Sequence, residues 1–241
     1  MEPSLHTYRH LDEELGALHQ QLVQMGELVQ QQLADALRAL VQRDPDLARA
    51  TIERDECVNR QDVEIDQLCI SLLARYQPTA RDLRLITTGL KITTDLERIG
   101  DLAIDICECA LQLMAEPPLL ELFDISAMGR IAQRMVREGL EAFVREDPGL
   151  AITLCGEDDE VDALDHQLFR ILLTYMAERP ETISRVTRLL FVAKCLERVA
   201  DHATNIGEMV VYMVRGKTIR HLDASPLQRA ALSTARSLAQ A

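Results

Sequence analysis

Between residues 11 and 42 apolar side chains return every three or four positions: Leu15, Leu18, Leu22, Met25, Leu28 or Val29, and Leu33. That is the period of one buried helix face, and it predicts a helix over about residues 11–42. Asp44-Pro45 ends this stretch and opens the next, because aspartate caps a helix start and proline fits the first turn. The second helix should run to about residue 76, where Gln77-Pro78 stops it; a residue before proline is driven out of the helical region. A third is predicted over about residues 79–115, ahead of Glu116-Pro117-Pro118.

The same punctuation then returns. A helix is predicted over about residues 122–145, and Asp147-Pro148 answers Asp44-Pro45. The next is predicted to reach about residue 177, with Arg179-Pro180 answering Gln77-Pro78, and the last to end near Arg215-Gly216. Short connections force neighbouring helices antiparallel. The expected fold is all-α, with six helices in two tandem antiparallel three-helix bundles related by internal duplication. The bundles are expected over residues 1–116 and 119–216, followed by a tail over 217–241 with a weak helix after Pro226. A repeat near one hundred residues is too long for a solenoid unit and fits a duplicated domain.

Composition agrees with helix. The 241 residues are 47% apolar but only 3% aromatic, without Trp, so the core must be aliphatic. The formal net charge of −13, with basic residues scattered among acids, argues against nucleic acid as a partner. The cysteines Cys57, Cys69, Cys107, Cys109, Cys155 and Cys195 lack the spacing of a secreted disulfide framework and read as reduced thiols packed as small apolar groups. The N-terminal stretch lacks an apolar signal core, and the run MVVYMV from Met209 is too short to span a bilayer. A cytoplasmic protein is expected, touching membranes only peripherally through partners.

The chemistry lies in two hexapeptides, LERIGD from Leu96 and LERVAD from Leu196. On a helix, Glu97 and Asp101 fall one turn apart, beside the apolar seam of Leu96, Ile99, Ala103 and Ile106. Asp105 and Glu108 extend that stripe, and the second half reads Glu197, Asp201, Asn205 and Glu208. Stacked carboxylates at this spacing repel by a few tenths, roughly 0.2–0.5 kcal/mol per pair. The preceding helices carry matching stripes: Asp55, Asn59, Asp62 and Asp66, then Asp158, Asp162 and Asp165. Two oxygen-rich stripes on adjacent helices can converge on a hard cation such as Mg²⁺, Ca²⁺, Mn²⁺ or iron. By pattern alone a solvated acidic face is the commoner outcome, and what favours a site is that the acids persist in both copies while the surface residues around them diverge. No His follows a Glu at the Glu-x-x-His spacing of the ferritin type, and no phosphate loop, nucleophile elbow or Ser/His/Asp set is present. No enzyme is expected. His202 beside Asp201 reads as a further ligand, a supporting donor or an ordinary surface histidine.

At these residues the chain resembles the PhoU family of bacterial regulators of phosphate uptake and signalling. QPTARDLRLITTGLKITTDLERIGD from Gln77 and PETISRVTRLLFVAKCLERVADHATNIGE from Pro180 carry the resemblance, supported by MGELV from Met25. It spans about residues 8–221 and implies two three-helix bundles with a Glu/Asp-x-x-x-Asp metal motif in each. Carried onto this sequence, the motif residues are Glu97 and Asp101, then Glu197 and Asp201. Asp62 and Asp165, with Asp105 and Asp162, are expected to complete the shells of a divalent or multinuclear metal: iron, zinc, magnesium or manganese. The first copy departs from the family pattern, with Leu102 in place of the usual His and Asp105 in place of Asn; Asn59 also stands where the second half has the acid Asp162. The resemblance further implies a negative regulator of the phosphate regulon and a homodimer. It would be an adaptor between the ATPase subunit of a phosphate ABC transporter and a sensor histidine kinase. A direct gating subunit without kinase signalling, or a metal-free structural bundle, are the alternatives.

Overall fold

The computed structural model describes residues 5–119 and 125–219, with side chains from residue 10 onward. The start predicted near residue 122 and the tail helix after Pro226 lie outside the described residues. Three long helices form the first half: α1 (Leu5–Gln42), α2 (Pro45–Tyr76) and α3 (Ala80–Met114). The second half has α4 (Ile125–Val144), α5 (Pro148–Leu154), α6 (Asp158–Glu178), a single 3₁₀ turn (Pro180–Thr182) and α7 (Ile183–Arg215).

The two Asp-Pro junctions do the same work in each half. The Asp44 carboxylate accepts from the backbone N–H of Asp46 at 3.1 Å and Leu47 at 3.0 Å. Asp147 accepts from Gly149 at 2.8 Å and Leu150 at 3.4 Å. Both use an extended backbone at the cap, with proline filling the first helical position. At the far end of α2, Gln77 adopts a left-handed conformation and its N–H closes on the Leu73 carbonyl before Pro78 ends the helix. α7 ends likewise at Gly216, whose φ of 66° favours glycine.

Leu18, Leu22, Met25, Val29 and Leu33 are all fully buried, as their spacing predicts. Between the two alternatives at the fourth turn, Val29 faces the core while Leu28 is 38% exposed. These side chains meet Val58, Ile65, Cys69 and Leu72 of α2 and Ile86, Ile92, Leu96, Ile99 and Ile106 of α3 in one aliphatic core, continuous with that of the second half. All six cysteines are free thiols. Burial pushes Cys69, Cys107 and Cys195 up to about 12, so they are small apolar fillers rather than nucleophiles.

The halves join through α3 and α7, with α1 against α4. The Arg84 Nε donates to the Met213 carbonyl at 3.1 Å, and the Arg188 Nε donates to Gln112 Oε1 at 2.9 Å. The start of each helix therefore meets the end of the other, and the pair runs antiparallel. Among the described residues no helix is long and apolar enough to cross a membrane.

One expectation is corrected. The second helix of the second half is predicted as continuous to about residue 177, but it breaks between Leu154 and Asp158. The Gly156 N–H bonds the Thr153 carbonyl and the Glu157 N–H bonds the Leu154 carbonyl, both at 2.9 Å, so the last turn of α5 tightens to three-residue spacing. Gly156 weakens the helix where the first half has Glu53. The break also lies against α7: Cys155 Sγ reaches the Thr204 carbonyl at 3.7 Å, and a Cβ on Gly207 would come within 3.1 Å of the Ala151 carbonyl oxygen.

Candidate metal centre

Each half gathers carboxylates in the groove between its last helix and the helix before it. In the first half Glu97 and Asp101 project from α3 toward Asp55 and Asp62 of α2, and all four are partly buried. Asp55 is held from two sides, by Gln32 Nε2 at 3.1 Å and by Asn59 Nδ2 at 2.8 Å. Arg98 lies along the acids, its Nε 3.4 Å from Glu97 Oε2 and its Nη1 3.2 Å from Asp101 Oδ2. Burial raises the Glu97 carboxyl above its ordinary range, and Asp101, Asp62 and Asp55 add to that against the opposing pull of Arg98. Asp101 is raised by burial, with Asp55 and Asp105 adding to it against Arg98. Asp62 is raised by burial and then by Asp66.

In the second half Glu197 and Asp201 of α7 face Asp158, Asp162 and Asp165 of α6. Asp158 is the most perturbed: burial, then Asp201, Asp162, Asp159 and Glu197, push its carboxyl up to about 6. Burial, then Glu197 and Asp162, also raise Asp201. Asp165 is raised by burial first, and Lys194 pulls against it. Lys194 Nζ donates to Glu197 Oε1 at 2.5 Å. Two oxygens of this cluster, Asp158 Oδ1 and Glu197 Oε2, are buried without a hydrogen-bond partner. Unpartnered buried oxygen is costly, and the donor set is all hard carboxylate, so these residues fit a hard cation.

The arrangement differs from expectation in detail. As the side chains stand, no three ligand-type residues among those described converge tightly enough to close on one ion. Seven of the eight predicted ligands, Glu97, Asp101, Asp62, Glu197, Asp201, Asp162 and Asp165, fall into the two clusters. Asp105 is set apart: it bears on Asp101, yet it lines the groove between α3 and α7 with Glu108, Gln112 and Arg188. His202 reaches across to the other half, where its Nδ1 lies 2.9 Å from Asp95 Oδ1, an oxygen that also accepts from Asn205 Nδ2 at 3.3 Å. Asp158, the most strained carboxyl, is not singled out by its place in the stripe; its match with Asp55 was the available signal. Arg98, which directly follows the first acid of its motif, bridges the neighbouring carboxylates as that position suggests, whereas Lys194 carries no such signal, since its direction depends on packing.

The sequence model of the PhoU domain matches residues 22–110 and 125–210. The phosphate-specific transport system accessory protein PhoU homolog of Pseudomonas aeruginosa is 40% identical over 90% of this chain and 90% of its own length. The PhoU accessory protein of Escherichia coli K12 is 38% identical over 94% of this chain and 95% of its own. The crystal structure of PhoU from Pseudomonas aeruginosa superposes with a TM-score of 0.84 at 41% identity, covering 86% of this chain and 99% of that one. The phosphate transport system regulatory protein PhoU from Streptococcus pneumoniae gives a TM-score of 0.81 at 31% identity, over 87% and 99% of the two chains. With two matched domains, relatives of this identity along nearly the whole chain and the same helical fold, the chain belongs to the PhoU family.

Proposed function

We propose that this protein is a non-catalytic accessory of phosphate-specific transport, a regulator of phosphate uptake whose two acidic clusters hold divalent or multinuclear metal. The observation that carries the metal part is the second cluster, where five carboxylates share one groove and two of their oxygens are buried without a partner. A bound cation would supply the positive charge that offsets their mutual repulsion. Glu197 and Asp201 would hold it from α7, and Asp158, Asp162 and Asp165 from α6. In the first half Glu97, Asp101, Asp55 and Asp62 would do so, with Asn59 in place of one acid. Iron, zinc, magnesium and manganese remain the candidate ions. With its charge offset, each groove becomes a fixed surface on a helical slab, suited to contact with other proteins.

The regulatory part rests on the names of the relatives, which speak of phosphate-specific transport. In this reading a cytoplasmic homodimer docks peripherally on the ATPase subunit of a phosphate ABC transporter. It also contacts a sensor histidine kinase and holds the phosphate regulon off when phosphate is abundant. The narrower reading, direct gating of the transporter without a kinase, draws support from the accessory-protein names, which speak of transport and name no kinase, while the Streptococcus pneumoniae relative is called a regulatory protein.

Two measurements test this. Elemental analysis of protein purified without chelator is expected to find bound metal, and Glu197→Ala with Asp201→Ala should remove the share held by the second half. Unchanged metal content in that double variant would refute the assignment of the second cluster. Deleting the gene in the native bacterium should raise alkaline phosphatase in phosphate-rich medium. Altered phosphate uptake with unchanged phosphatase would favour direct gating instead.

A further inference from the structure

The two acidic clusters differ in the residue that neutralises them. In the second, Lys194 extends one turn along α7 to bond Glu197 at 2.5 Å. Its ammonium is also held by the charges of Asp165 and Asp201, and together these raise its proton affinity, with the Glu197 bond the largest cause. The matching residue of the first half, Thr94, is neutral and turns its hydroxyl back to the Leu90 carbonyl at 3.1 Å. There the counter-charge comes from Arg98, whose own counterpart Arg198 is exposed and makes no carboxylate ion pair among those the structure shows. Duplication would leave both copies with the same counter-ion; these halves use different ones.

We propose that Lys194 is a tethered cation of the second cluster: it occupies the carboxylates until a divalent ion displaces it, and so sets the affinity for that ion. The proposal rests on the reading of this cluster as a metal site. Lysine suits displacement. Its ammonium is a compact point charge on a flexible stem, and here the side chain is 57% exposed while its partner Glu197 is only 15% exposed. Swinging outward would return the ammonium to water without disturbing a packed residue, and would free Glu197 Oε1 beside the already unpartnered Oε2. A single ammonium brings one charge and bonds one oxygen here. A divalent ion brings two charges and takes several oxygens, so it can win the contest at sufficient concentration. Arg98 is poorly suited to such release, because its fork engages two acids, Glu97 and Asp101, at once.

Isothermal titration of the metal-stripped full chain with Mn²⁺ tests this. Lys194→Met should tighten binding at the second cluster about three- to tenfold, the size of one lost competing ion pair. Arg198→Met removes the same charge from the neighbouring surface and should leave that affinity unchanged. In the metal-free state Lys194→Met should lower the melting temperature, and adding Glu197→Gln should restore it. Equal or weaker Mn²⁺ binding by Lys194→Met would overturn the competition while leaving the metal site standing. Equal tightening in both variants would reduce the effect to general charge and overturn it too. Absence of binding in wild type and Lys194→Met alike would defeat the metal reading itself. The melting temperatures would then show separately whether Lys194 serves as a fixed counter-ion.

Discussion

Asp158 shows most sharply what single residues decide here. Its carboxyl, ordinarily near 3.8, sits at about 6 because burial and four neighbouring acids disfavour its charge. In the unfolded chain that proton leaves first, so between those two values the folded state holds more protons. The stabilising contribution of the protonated group is full below about 3.8 and is lost as pH rises through about 6. Metal-free protein should therefore resist urea better at pH 4.5 than at pH 7, as far as this group is concerned. Asp158→Asn, neutral at every pH, should raise the midpoint at pH 7 and flatten its dependence across that window. A pH profile identical to wild type would mean the carboxylate is solvated. The repeat marks which acids to compare, because Asp55 and Asp158 occupy matching places. Packing gives Asp55 two amide donors and leaves Asp158 Oδ1 buried without one, and a stripe on a helix does not report such partners.

At the scale of elements, the boundaries were legible and one interruption was not. Asp44-Pro45, Gln77-Pro78, Asp147-Pro148 and Arg179-Pro180 each mark a junction, since caps and proline act through bonds to near neighbours. The break between α5 and α6 falls at Gly156 and lies against α7. α7 comes so close to α5 that a Cβ at position 207 would stand 3.1 Å from the Ala151 carbonyl oxygen, close enough that α5 would have to give by a few tenths of an ångström. Gly207→Val should destabilise the fold by about 2 kcal/mol through that overpacking, measured as a lower urea midpoint. The cost should exceed any gain from replacing a helix glycine. A neutral result would show that α5 can move aside freely, and that the close approach does not hold the break in place.

For the molecule as a whole, the duplicated halves are packed into one body. α3 and α7 lie antiparallel along their length, pinned near the middle by His202 and Asn205 on Asp95 and near the ends by Arg84 and Arg188. The apolar core runs through both halves without a gap. Unfolding in urea should accordingly show a single transition, coincident by circular dichroism and by protection of the buried thiols Cys69 and Cys195, one in each half. Separate midpoints for the two thiols would indicate that the bundles melt independently.

The sequence by itself determined that this chain is helical, that it is a duplication, and which acids recur. Those properties depend on period, on punctuation and on residue identity at fixed spacing, all of which are local along the chain. Tertiary structure alone decided that Val29 and not Leu28 enters the core, that His202 pairs across the halves with Asp95, and that Lys194 and Arg98 neutralise different copies. Each of those outcomes depends on what a second helix places opposite the residue. One helix's sequence carries the direction of its faces, but not the neighbour that each face will meet.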